Sequence, residues 1–304
     1  MTLRAGSRLE RVLQGRGFAV TAEAVPPRSA DPEAVRAQAR ALVGYADAVN
    51  VTDSPTGTAH MSPVAGSGLV AGEGVEPTIQ LACRDRNRLA LTGDLLGAWA
   101  LGARNVLCLT GDWISAGDHP EAVEVHDLTV IDLVRFAVRL RDGVSSLSGA
   151  LVEPVPRYFV GVADVPLADP YDPTRLEAKV EAGADFVQTQ IVYDVDALGE
   201  WAERVRPVGV FERTFVLAGV APPRSAASAR FMREHLPGVM VPDEVIRRLE
   251  GAEDPVEEGV RITVDVVKRV REIDGMAGVH VMGLGREESV RRVIEEAGLL
   301  PRPG

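Results

Sequence analysis

Carboxylates, amides and hydroxyls placed just past an apolar run are where a chain can do chemistry, and this sequence repeats that arrangement. Glu23 lies in Glu23-Ala-Val-Pro-Pro27, Thr52-Asp53 follows Val49-Asn-Val51, and Cys83-Arg84-Asp85 closes a third run. Thr110-Gly111-Asp112 closes a fourth, Asp164 a fifth, and Gln188-Thr189-Gln190 a sixth. Several carboxylates converging on one mouth repel each other, so some must shift their protonation or meet cationic ligands. That set suits an enzyme that moves protons or holds a developing cation.

Each residue also has a plainer reading. Glu23 fits a salt-bridged strand terminus, Asp112 a turn or cap, and Asp53-Ser54-Pro55 a turn. Asp172, before Pro173, is a natural N-cap, and Lys179 a solvated charge on the helix that follows. Gln190 is more telling, because an amide at the end of a buried strand needs partners. Gly66-Ser-Gly68 and Gly72-Glu-Gly74 do not make a dinucleotide fingerprint. Gly283-Leu-Gly-Arg286 reads as a phosphate-binding turn or simply a tight one. His60, His119, His126, His235 and His280 show no metal-ligand spacing, and no Ser-His-Asp set is legible.

Eight runs rich in apolar residues position these groups: 18–25, 48–53, 77–83, 105–111, 158–164, 186–192, 214–220 and 278–284. They are nearly continuous rather than alternating, as parallel strands buried on both faces should be. Helices lie between them. Asp31-Pro32 opens one whose Val35, Ala39, Leu42 and Val43 share a face. Asp85 can cap 86–101, Asp127 or Thr129 can start a helix to Arg141, and Asp172 opens 174–182, which Gly183 closes. The seventh connection holds helices at 225–235, 243–249 and 256–273, and a last helix spans 287–297. Strand–helix alternation repeated eight times predicts one α/β domain over 1–304, a (β/α)8 TIM barrel behind a lead-in of about 15 residues. A doubly wound open sheet is the alternative, since periodicity does not show closure.

Composition narrows the function classes. The chain has 304 residues, 33 Lys+Arg against 44 Asp+Glu, and a net charge of −11. An acidic balance without a basic stripe argues against a nucleic-acid binder. Two cysteines, Cys83 and Cys108, are too few for a disulfide framework, a zinc ribbon or a cysteine-ligated iron–sulfur cluster. No apolar stretch reads as a signal peptide or membrane span, so a cytoplasmic protein is expected.

The strand ends together resemble the methylenetetrahydrofolate reductase family, flavin-containing (β/α)8 barrels. The likeness rests on Glu23-Ala-Val-Pro-Pro, Val51-Thr-Asp, Gln80-Leu-Ala-Cys, Leu109-Thr-Gly-Asp112 and 179–190, in the family's order over most of 15–300. Asn87-Arg88 and Gly117-Asp-His-Pro are similar to a compact bacterial branch. The resemblance implies non-covalent FAD, with NADH or NADPH as co-substrate. It makes Glu23 the general acid, Asp112 the anion beside flavin and folate, and Gln190 a contact of the folate pterin. Thr52, Asp53, Gln80, Thr110, Gly111, Asp112, Asp172 and Lys179 fall at cofactor positions. Thr110 stands where many members have arginine, and Gln80 where they have histidine. Only Phe231 or Met232 matches an aromatic that packs near nicotinamide or folate.

The implied chemistry agrees with the residue types. 5,10-Methylenetetrahydrofolate opens to a 5-iminium cation when N10 is protonated, and hydride then gives 5-methyltetrahydrofolate. A general acid such as Glu23 and an anion such as Asp112 serve those two needs. Two other readings stand beside it: a flavin-free folate- or pterin-binding methyltransferase barrel, and a non-catalytic folate- or partner-binding subunit. The electron donor (NADH, NADPH or a partner electron-transfer subunit) and a homo-oligomeric state are left open.

Overall fold

A computed structural model of the chain describes residues 3–143, 149 and 152–303. Of the lead-in, Met1 and Thr2 lie outside them. The apolar runs become β1 (Ala19–Ala24), β2 (Ala48–Val51), β3 (Pro77–Ala82), β4 (Asn105–Leu109), β5 (Phe159–Asp164), β6 (Phe186–Ile191), β7 (Phe215–Val220) and β8 (Met276–Val281). Each pairs in parallel with the next, and β8 returns to β1 through Thr21↔His280, so the sheet closes. The open-sheet alternative is thereby excluded.

The outer layer is α1 (Arg8–Gln14), α2 (Pro32–Leu42), α3 (Pro63–Gly72), α4 (Arg88–Ala100), α5 (Val130–Arg141) and α6 (Pro173–Glu181). It continues with α7 (Val195–Val205), α8 (Val210–Arg213), α9 (Ala226–His235), α10 (Asp243–Gly251), α11 (Pro255–Val270) and α12 (Glu287–Glu296). Caps decide where several begin. Asp31 and Asp172 accept the N–H groups of Glu33 and Thr174, as their Asp-Pro steps foretold. One expected cap is corrected: Asn87, not Asp85, caps α4 through the Ala90 N–H. Of the two candidates for the start of α5, Thr129 caps it in a reciprocal bond with Asp132, while Asp127 pairs with Arg88. Helix α2 stops at Leu42, which leaves Val43 half exposed instead of on the buried face.

Two layers fill the barrel. At the amino ends of the strands, Ala19, Ala48, Leu107, Phe159, Phe186 and Leu217 pack with Leu9, Val12 and Leu13 of α1. The arginine-rich lead-in is therefore a helix that closes the base. Phe159 and Phe186 stack at 5.3 Å, and Gly161 leaves the space that the Phe186 ring occupies. Above this lies a polar layer of Thr21, Asn50, Gln188 and His280, joined across the interior. Successive side chains on a strand alternate in direction. The next inward position of β1, Glu23, therefore faces the mouth.

Candidate active site

The carboxyl ends of the strands form the mouth, where barrels of this kind build their sites. Glu23 sits just inside, its side chain 11% exposed, with Oε2 3.9 Å from His280 Nε2. Among the described residues no arginine or lysine lies within ion-pair reach of it. Gln80 shares the inward face of β3, being in register with inward-facing Leu107. Gln190 ends β6 half exposed. Its Oε1 accepts from the Ile191 N–H at 2.9 Å and its Nε2 donates to the Pro237 carbonyl at 3.4 Å. The partners its position demanded are these two backbone groups.

Asp112 is not a free carboxylate. Its Oδ2 accepts the Thr56 N–H at 2.6 Å, tying the loop after β4 to the loop after β2. The same seam carries Asp118, which accepts from the Ala59 N–H and pairs with Arg28. Gly117 meets Gly57 so closely that a Cβ there would fall 1.9 Å from the Gly57 carbonyl oxygen. Buried Arg84 crosses below, donating to the carbonyls of Ser54 and Asp112. Gly111, at φ +99°, has its Cβ position 2.7 Å from Arg84 Cβ, so its missing side chain makes room for that arginine.

The remaining cofactor positions divide. Thr110, Asp172 and Lys179 come together on a cavity of about 630 Å³ beside β4, β5 and α6, with Cys83, His126, Tyr171 and Arg175. That volume lies within the range of small-molecule sites. Glu23, Gln80, Asp112 and Gln190 do not line it. Lys179 is already engaged: its Nζ donates to the Ala163 carbonyl at 2.6 Å and lies 3.9 Å from Asp164. Burial lowers the Lys179 ammonium from its ordinary value against the pull of Asp164, and burial likewise raises the Asp164 carboxyl against Lys179. Burial pushes the Cys83 thiol up to about 12, which removes it as a nucleophile at neutral pH.

Asp53 and Thr52 do not open to the cavity. Asp53 accepts two bonds from Arg86, at 2.6 and 3.0 Å, and one buried bond from the Ala82 N–H. The Thr52 hydroxyl is buried without a partner. Sequence reasoning missed two contributors, Arg175 and His280, and had Arg84 only as part of a strand end. Of these, His280 had a signal, since Val279-His280-Val281 alternates as only an inward histidine would. No group of three or more His, Cys, Asp or Glu able to hold a metal occurs among the described residues.

A closed parallel barrel with a carboxyl, two amides and a cavity at its carboxyl end defines this chain as a (β/α)8 barrel. Within that class it belongs to the methylenetetrahydrofolate reductase family, whose profile matches residues 8–298. Methylenetetrahydrofolate reductase 2 of Schizosaccharomyces pombe is 29% identical over 232 residues, 74% of this chain and 36% of that one. The probable methylenetetrahydrofolate reductase (NADPH) of Caenorhabditis elegans is 24% identical, over 96% of this chain and 44% of its own. This chain thus spans well under half the length of such relatives. The 5,10-methylenetetrahydrofolate reductase of Salmonella typhimurium is also 24% identical, over 77% of this chain and 74% of its own. In fold, a Clostridium thermocellum protein described as binding two copies of 5-methyl-5,6,7,8-tetrahydrofolic acid superposes with TM-score 0.67. It is 14% identical, over 97% of this chain and 99% of that one.

Proposed function

We propose that this protein reduces 5,10-methylenetetrahydrofolate to 5-methyltetrahydrofolate at the barrel mouth, with Glu23 as the general acid. The observation that carries the reading is the Glu23 carboxyl, nearly enclosed and, unlike Asp53, not committed to an arginine. It delivers a proton to N10, which opens the five-membered ring. Asp112, held at the mouth by Thr56, supplies a fixed negative charge for the cation that forms. Gln80 and Gln190 offer amides to the pterin edge. The family's name and the folate bound by the Clostridium protein support the substrate class.

The family resemblance implies FAD, which when bound would supply the hydride. The cavity beside β5 has the size and a cation for an anionic dinucleotide: Arg175 suits its phosphates, Thr110 offers a polar contact, and Asp172, which caps α6, an acceptor for its hydroxyls. Asp53 and Gly111 have other tasks, and Lys179 reaches a phosphate only by leaving Ala163. A second reading therefore has a specific basis. It keeps the substrate and Glu23 but takes hydride directly from NADH or NADPH in the same cavity.

Incubating the purified protein with 5,10-methylenetetrahydrofolate, NADH and NADPH, and identifying the product by mass spectrometry, tests the proposal. Formation of 5-methyltetrahydrofolate supports it, and folate binding without turnover would overturn it in favour of a non-catalytic subunit. The visible spectrum of the same preparation separates the two hydride routes. Stoichiometric flavin supports the first, and turnover of a colourless protein the second.

A further inference from the structure

Behind Glu23 runs a directional chain of buried hydrogen bonds. Asn50 Nδ2 donates to Gln188 Oε1 at 2.7 Å, and Gln188 Nε2 donates to Thr21 Oγ1 at 3.0 Å. Thr21 Oγ1 lies 2.9 Å from His280 Nδ1, and His280 Nε2 faces Glu23 Oε2 at 3.9 Å. Asn50 and Thr21 are fully enclosed, and Gln188 and His280 nearly so. Four strands contribute one residue each, so the chain exists only because the barrel closes.

The bonds favour one tautomer of the imidazole. Thr21 Oγ1 accepts from Gln188 and has one proton of its own to give, and giving it to His280 Nδ1 pairs both groups. In that arrangement the imidazole proton sits on Nε2, which points at the glutamate. A proton relay is ruled out by the far end, where Gln188 and Asn50 bond each other and neither amide titrates. The chain can orient a group but cannot refill it with protons. At 3.9 Å the last step is longer than a hydrogen bond, as such contacts often are before substrate tightens them.

We propose that His280 is a positioning residue for Glu23. In the substrate complex its Nε2–H holds Oε2, leaving Oε1 turned toward the substrate to give up its proton. This rests on the reading of Glu23 as the acid.

The test has an arm that needs no turnover. Nitrogen-15 NMR of the intact, histidine-labelled protein, with His280 assigned from a His280→Gln sample, should show Nε2 protonated and Nδ1 bare; the opposite tautomer overturns the proposal. Turnover is followed as 5-methyltetrahydrofolate formed with NADH and NADPH both supplied. His280→Phe should lower kcat about 10–100-fold, the usual cost of losing an orienting partner, with KM changed less than about threefold. His280→Gln, which keeps a donor at similar reach, should restore most of kcat. In a Glu23→Gln background, His280→Phe should cost nothing further, because the group it positions is gone. Equal, additive losses in both backgrounds would mean a merely structural histidine and overturn the proposal. Full activity of Glu23→Gln itself would instead sink the acid reading beneath it, so the two failures are distinguishable.

Discussion

Lys179→Met separates a structural lysine from a phosphate-binding one. The change removes the 2.6 Å bond to the Ala163 carbonyl, and a bond from a charged donor is worth about 1.5–3 kcal/mol. It also strands Asp164, which is 6% exposed and keeps the Tyr171 hydroxyl at 3.0 Å as a partner. Breaking a buried pair costs about 3–5 kcal/mol. This pair is 3.9 Å apart and its lysine side chain is 18% exposed, which places the loss at the lower end. We expect about 3 kcal/mol at pH 7.5, read as a fall of roughly 5 °C in Tm. Trp201, packed edge-on against Tyr171, gives a local fluorescence signal. The loss must depend on pH with a definite sign. Burial raises the folded Asp164 carboxyl above its unfolded value, and removing the lysine raises it further. Ionising it in the variant therefore costs stability as pH climbs past about 4, the ordinary carboxylate value. Wild type shares the first part of that loss, so the gap should widen as pH rises past its own raised Asp164 value, and Lys179→Met with Asp164→Asn should recover about half of it. A Tm shift under 2 °C together with lost dinucleotide binding would refute this and make Lys179 a ligand.

Three further outcomes follow from the packing and the mouth. Gly161→Ala puts a Cβ within 2.2–2.6 Å of the Phe186 ring, so calorimetry should show a loss of about 1–3 kcal/mol or more. Asp112→Asn keeps an acceptor for the Thr56 N–H, so Tm should move less than about 2 °C. Product formation should meanwhile fall about 10²–10³-fold, on the scale of losing one electrostatic contact, and unchanged turnover would remove Asp112 from the site. Arg86→Ala strands buried Asp53, and a loss of about 3–5 kcal/mol in urea unfolding would confirm that Asp53 belongs to the frame, not to a cofactor.

The strands were legible because a parallel barrel buries both of their faces, so β4 reads Asn-Val-Leu-Cys-Leu with no polar stripe. Helix α3 was not. Gly66, Gly68 and Gly72 weaken its pattern, although Gly66 is there because a Cβ would press 2.7 Å from Val51 Cγ1. The Ser62-Pro63 step was its one local signal. Helix starts turned on small differences: both Asp85 and Asn87 can cap, and only the path of the chain selects Asn87. The positions of Glu23 and Gln190 followed from strand ends. What Lys179, Asp53 and Asp112 touch did not, because their partners Ala163, Arg86 and Thr56 lie 16, 33 and 56 residues away. Long-range pairing of that kind leaves no local pattern. The partner of His280 was hidden for the same reason, since Thr21 lies across the closing seam of the barrel.

Single-turnover reduction of 5,10-methylenetetrahydrofolate by Glu23→Gln tests the central claim most directly. Glutamine keeps the size and polarity of the side chain beside His280 but has no acidic proton to give. With the protein folded and the hydride donor bound as in wild type, formation of 5-methyltetrahydrofolate should slow about 10²–10⁴-fold. A variant that makes product at the wild-type rate would contradict the account.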